Sequence, residues 1–232
     1  MTRLLVSVRN SAEALAALRG GADLIDLKEP QLGSLGAVPT SAWSEIREAI
    51  ADRVPLSVAL GELLEDDCEQ RASASQGFQF AKIGLAGTAQ RDDWLERWSA
   101  AIQRLPSTTQ AVAVVYADAE QAQSPAPRTI LAAAQQLHCA AILVDTYQKT
   151  RGSLLDLWSM AQLTQFRHDA REAGLICVLG GSLHEQHIPR LLPIAPDYIA
   201  VRGAVCRGAR TATLDPELVA SLRQAIPRSQ TN

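Results

Sequence analysis

Asp23-Leu24-Ile25-Asp26-Leu27-Lys28-Glu29-Pro30 is the stretch that decides the architecture. It holds a short apolar run interrupted by one carboxylate and ended by one amine. With the period of two that a strand imposes, Leu24, Asp26 and Lys28 share one face, while Ile25 and Leu27 take the other. The apolar face suits packing against helices. The mixed face suits the inside of a barrel, with Asp26 and Lys28 meeting at its mouth.

The run is one of eight. The others are residues 4–8, 56–60, 80–83, 112–115, 141–144, 175–179 and 198–201, at a spacing of about 25–30 residues. Most are continuous rather than alternating, as expected of parallel strands covered on both faces. Helical patterns fill the intervals. Asn10 can cap a helix running through Leu15 and Leu18, with Glu13 placed to complete a capping box. Trp94, Leu95, Trp98 and Ile102 recur at helical spacing. The stretch 154–173 predicts one long helix stopped by Gly174. Asp215-Pro216 opens the last helix with a cap and a first-turn proline. Residues 121–127 read as a loop. Eight strand–helix units in a single domain of 232 residues match a (β/α)₈ TIM barrel, which typically needs ~250. A doubly wound open sheet is the competing arrangement. The polar tail 228–232 is expected to fray.

Bulk properties narrow the function. A formal charge of −3 gives no sign of attraction to nucleic acid or a membrane surface. The N-terminal apolar run is too short for a signal peptide core or a membrane span. Cys68, Cys139, Cys177 and Cys206 form no metal-binding or disulfide pattern, and read as reduced thiols of a cytoplasmic protein. The four histidines lack ligand partners at diagnostic spacing; His184 and His187 follow the Gly-Gly-Ser turn and can lie near a site there, with a helix-surface role the favoured reading. Trp43, Trp94, Trp98 and Trp158 read as packing anchors on helices.

Lysine usage points to chemistry. The chain has 19 arginines and only three lysines, Lys28, Lys82 and Lys149, each at or just past the end of an apolar run. Arginine cannot lose its proton, whereas a desolvated lysine can, and its neutral amine is a nucleophile or base. Asp26 and Asp145 lie beside these amines, where carboxylates can hold them and shuttle protons. A structural ion pair inside the barrel is the plainer reading of either aspartate. Sites in such barrels lie at the C-terminal strand ends, so these five residues and Asp118, at the end of strand five, are expected to converge. Loops after strands seven and eight often hold phosphate. Gly180-Gly181-Ser182 and Arg202-Gly203-Ala204 fit that role, with Ser182 and Arg202 as side-chain donors. Gly33-Ser34-Leu35-Gly36 can cradle a second phosphate, through Ser34.

These blocks, together with Lys82-Ile83-Gly84-Leu85, Tyr116-Ala117-Asp118-Ala119, Asp145-Thr146 with Lys149, and Val201-Arg202-Gly203-Ala204 with Cys206, make the chain resemble the (5-formylfuran-3-yl)methyl phosphate synthase family. That family is also called 4-(hydroxymethyl)-2-furancarboxaldehyde phosphate synthase, and the resemblance spans nearly the whole chain. It implies a TIM barrel that condenses two molecules of glyceraldehyde 3-phosphate into a phosphorylated formylfuran, losing phosphate and water, for methanofuran-type one-carbon carriers. It places the Schiff-base lysine on Lys28 and the other catalytic residues on Asp26, Lys82, Asp145 and Lys149. At Arg207 the family pattern has lysine. The expected partner is a small sugar phosphate, with no cofactor and no metal; a homo-oligomer is left open. Two other readings compete: a class I aldolase-type barrel acting on a different sugar phosphate, and a catalytically silent phosphate-binding barrel.

Overall fold

All eight apolar runs become strands of one barrel. The computed structural model describes residues 1–227, and the tail 228–232 lies outside them. The strands are β1 Arg3–Val8, β2 Leu24–Leu27, β3 Leu56–Glu62, β4 Phe80–Gly84, β5 Gln110–Tyr116, β6 Ala141–Asp145, β7 Ile176–Leu179 and β8 Tyr198–Val201. Each pairs in parallel with the next, and β8 closes on β1 with Arg3 opposite Tyr198 and Val6 opposite Val201. Closure rules out the open doubly wound sheet.

The two faces of each strand have separate destinations. Leu5, Leu24, Phe80, Val112, Leu143 and Val178 fill the barrel interior. Their neighbours Val6, Ile25, Leu27, Ile83, Ala113 and Ile142 join the larger outer core beneath the helices. Burying both sets removes the apolar surface of every strand from water, which is the main driving force of the fold.

The helices are α1 Ser11–Arg19, α2 Trp43–Ile50, α3 Cys68–Ala74, α4 Trp94–Gln103, α5 Ala119–Ala122, α6 Pro127–Gln136, α7 Leu154–Leu157, α8 Met160–Glu172, α9 Ile188–Leu191 and α10 Pro216–Ala225. Several predicted caps are present: the Glu13 amide donates to Asn10 Oδ1 at 2.9 Å, the Glu217 amide donates to Asp215 Oδ1 at 2.9 Å, and Gly174 takes φ +74° just past α8.

The predicted helix 154–173 is instead two helices. Trp158 is extended between them and donates its Nε1–H to the Ala117 carbonyl at 3.1 Å. Ser159 then restarts the helix, accepting from the Gln162 amide while its own amide donates to Gln162 Oε1. A Ser-x-x-Gln cap inside the stretch and one docked indole outweigh continuous helical periodicity. The expected loop 121–127 also begins helically, inside α5. Trp43 and Trp98 are buried as anchors, and the four cysteines are buried and unlinked. Among the described residues no helix is long and apolar enough to cross a membrane.

Candidate active site

Asp26 is fully buried and is the hub of the barrel mouth. Parallel register sets Ser7 of β1 and Ser57 of β3 opposite it. Both hydroxyls donate to its carboxylate, at 3.0 and 2.6 Å. The Lys82 ammonium, from β4, forms an ion pair with the same group. Four consecutive strands are therefore tied to one carboxylate. Apolar side chains including Leu5, Leu24, Phe80 and Val112 surround Lys82 from below. Burial pushes its ammonium below the ordinary lysine range; Asp26 opposes this, and the charge of Lys28 adds to it.

Asp145, at the end of β6, is the second hub. Lys149 Nζ donates to its Oδ1 at 2.6 Å and to Thr146 Oγ1 at 3.2 Å. Lys28 Nζ lies 3.5 Å from Oδ2. Burial works to raise the Asp145 carboxyl, but the charges of Lys149 and Lys28 and hydrogen bonds from Lys149 and the Thr146 amide hold it well below the carboxylate range. Lys149 is pulled down to about 8, mainly by burial, against the attraction of Asp145. Its amine is thus poised to exchange a proton near neutral pH.

All five charged residues border one cavity of about 230 Å³ at the C-terminal end of the barrel. Gly180, Gly181 and Ser182 after β7, Gly203 after β8, and Arg210 complete its far wall. Gly181 has φ +96°, and a Cβ there would come within 2.8 Å of the Thr146 methyl. Glycine thus lets this turn lie directly on the β6 loop. Three amines and the Arg210 guanidinium face two carboxylates. That excess of positive charge suits an anionic ligand.

The model of a protein family described as 4-HFC-P synthase matches residues 4–223. The chain belongs to this family. A relative from Methanopyrus kandleri, named (5-formylfuran-3-yl)methyl phosphate synthase, is 35% identical over 97% of this chain and 98% of its own length. A relative of the same name from Methanosarcina barkeri is 33% identical, covering 95% and 97%. Among solved structures, phosphoribosyl anthranilate isomerase from Thermotoga maritima superposes with a TM-score of 0.66 at 15% identity, covering 97% of this chain and 98% of that one. At that identity the likeness shows the barrel fold alone.

In this member of the 4-HFC-P synthase family, the side chains of four residues expected at the ligand engage the protein itself. The Arg202 guanidinium, expected to donate to phosphate, is buried and turned to Glu13, at 2.6 and 3.0 Å. Its remaining bonds go to the carbonyls of Ser7, Arg210 and Ala212. Ser34 donates to the carbonyls of Thr146 and Tyr147 at 2.8 and 2.9 Å, tying the β2 loop across the mouth to the β6 loop. Asp118 accepts from the amides of Tyr147 and Gln148 at 2.6 and 2.8 Å. Both residues brace the loop that carries Lys149 rather than border the cavity. Ala204 packs on the outer core. Glu13 is a correction as well: its carboxylate accepts from the Arg9 amide and from two guanidiniums. It does not close a capping box on Asn10, because a buried carboxylate with two arginines in reach gains more from ion pairing. Arg207 pairs with Asp215 and Glu217, away from the cavity.

Sequence reasoning missed Ser7, Ser57 and Arg210, and placed His184 near the site only as its second choice. The serines carried one usable signal: a polar residue inside an apolar run, facing the interior. Arg210 carried none, since it lies in an irregular loop well past β8. For His184 the helix-surface reading was preferred to the near-site one, but the extended chain before the 3₁₀ turn Glu185–His187 brings it to the cavity edge.

Proposed function

We propose that this chain is a (5-formylfuran-3-yl)methyl phosphate synthase that condenses two molecules of glyceraldehyde 3-phosphate through an imine on Lys28. One observation carries the reading: three amines and two carboxylates from β2, β4 and β6 and the loops after them meet in a single cavity. Lys28 is the amine best placed to attack. Lys82 and Lys149 are each held tightly by a carboxylate, whereas Lys28 makes one long contact and borders the cavity. Once an imine forms, it acidifies the adjacent carbon and serves as an electron sink. Lys149, with its value near 8, exchanges protons beside the imine, and the Asp145 carboxylate holds it in place. Lys82 and Asp26 form a second such pair. Carbon–carbon bond formation, loss of phosphate and dehydration to the furan then all need proton transfers at neighbouring positions, which a ring of acids and bases can supply.

The test is incubation of the purified protein with glyceraldehyde 3-phosphate alone. Furan absorbance and released phosphate should rise together. Borohydride added during turnover should leave a covalent adduct that peptide mapping places on Lys28. An adduct on Lys82 or Lys149 would reassign the imine. Trapping with a non-furan product would make the protein an aldolase of another kind.

A further inference from the structure

Two arginines border the cavity, and their surroundings are opposite. Arg202 is neutralised by Glu13 and spends its donors on the protein. Arg210 has no carboxylate partner among the described residues. The side-chain hydrogen bond found for it runs from Nη2 to the Gly33 carbonyl at 3.1 Å. A guanidinium carries five N–H donors, so most of the Arg210 fork is unspent. Gly203 lies beneath it, and a Cβ on Gly203 would sit 3.5 Å from the Arg210 Cβ. Its main chain is fixed from behind: Arg202 Nε donates to the Arg210 carbonyl at 3.0 Å, and Arg202 Nη2 to the Ala212 carbonyl at 2.9 Å. Gly208, at φ +110°, gives the loop the turn that brings Arg210 back over the mouth.

Asp145 and Glu29 act on Arg210 only from beyond ion-pair distance, and a partly buried cation with no carboxylate in contact is costly unless a ligand supplies the counter-charge. Burial lowers the affinity of Arg210 for its proton, and its charge in turn helps to depress Lys149. We propose that Arg210 is the side chain that recognises the substrate's phosphate, seating a phosphomonoester dianion between its guanidinium and the turns at residues 180–182 and 203. The assignment deepens the phosphorylated-triose reading above and rests on it. A planar fork matches two phosphate oxygens at once. Arg202 is then a positioning residue, acting through the Arg210 main chain. Occupancy also has a consequence for the chemistry: a dianion on Arg210 offsets its repulsion of Lys149, so the bound substrate strengthens the base that acts on it.

Calorimetric titration with inorganic phosphate tests this on the full chain. Wild type should bind. Arg210→Gln should bind roughly 10- to 100-fold more weakly, as for lost hydrogen bonds between charged groups. Arg210→Lys should fall between, keeping the charge but losing the fork; it also carries the test should the glutamine variant not fold. Equal phosphate affinity in all three proteins, or no binding by wild type, overturns the assignment. The titration does not depend on furan formation. Phosphate binding through Arg210 without furan production would refute only the proposed function. Furan production with an unchanged KM in Arg210→Gln would refute only this assignment.

Discussion

Replacing Arg202 with alanine should damage the fold, and that outcome separates a brace from a phosphate ligand. The substitution removes five hydrogen bonds, two of them to the Glu13 carboxylate. Glu13 is 2% exposed and is left with Arg9, which contacts it at 2.8 and 3.1 Å. Removing one partner of a buried ion pair costs about 3–5 kcal/mol; the remaining Arg9 places the expected loss near the lower end. For a domain of this length about 3 kcal/mol corresponds to a fall in Tm of roughly 6–12 °C. Thermal and urea melts of Arg202→Ala, Glu13→Gln and the double variant supply the assay. The double variant should lose much less than the sum of the singles, because each single strands a buried charge or its partner. Acid gives a second check. Burial works to raise the Glu13 carboxyl, but Arg202 and Arg9 hold it below its ordinary value. The stabilisation is therefore intact above that ordinary value and fades as pH falls through the lower folded one. The gap between wild type and Arg202→Ala should narrow there. KM does not discriminate, since losing the brace also loosens Arg210. A Tm within about 2 °C of wild type, where the brace predicts several degrees, would refute the reasoning and return Arg202 to the phosphate.

Lys82→Arg and Lys149→Arg should each lose at least ~10²-fold in turnover, because a guanidinium cannot give up its proton. The corresponding methionine variants control for crowding, and near wild-type rates in the arginine variants would leave these lysines as electrostatic clamps. With Lys149 near 8, kcat/KM should climb as pH rises through that value and level off above it. The limb should be missing from Lys149→Met, and a flat wild-type profile from about pH 7 to 9 would remove Lys149 as the base. The same residue should mark stability: its folded value lies below the ordinary 10.5, so the unfolded chain binds more protons between the two. Its contribution to stability then rises from about pH 8 towards 10.5. Urea melts at the two ends should show that rise in wild type and not in Lys149→Met.

Leu24–Leu27 shows why the barrel was legible. A parallel strand covered on both faces must be apolar throughout, so Asp26 within it, Lys82 within β4 and Asp145 at the end of β6 stand out as residues whose burial needs a reason. Lysine scarcity pointed to the same positions, and the cluster assembled from them is present. The helix break at Trp158 was less legible, because its cause is a hydrogen bond to Ala117 across the fold. Ser34 and Asp118 were assigned to a ligand from their places after β2 and β5. Their acceptors and donors belong to the β6 loop, which adjoins them only after the barrel closes.

Arg202 and Arg210 mark the boundary between the two kinds of information. By itself the sequence determined the strands and the charges that face the interior, because both are written in local periodicity. It could not determine which arginine stays free. Arg202 carries the more recognisable motif, yet Glu13, 189 positions away in the chain, takes its charge, while Arg210 in an unpatterned loop keeps its own. A charge is committed to the nearest partner in space, and only the closing of β8 against β1 decides which partner that is.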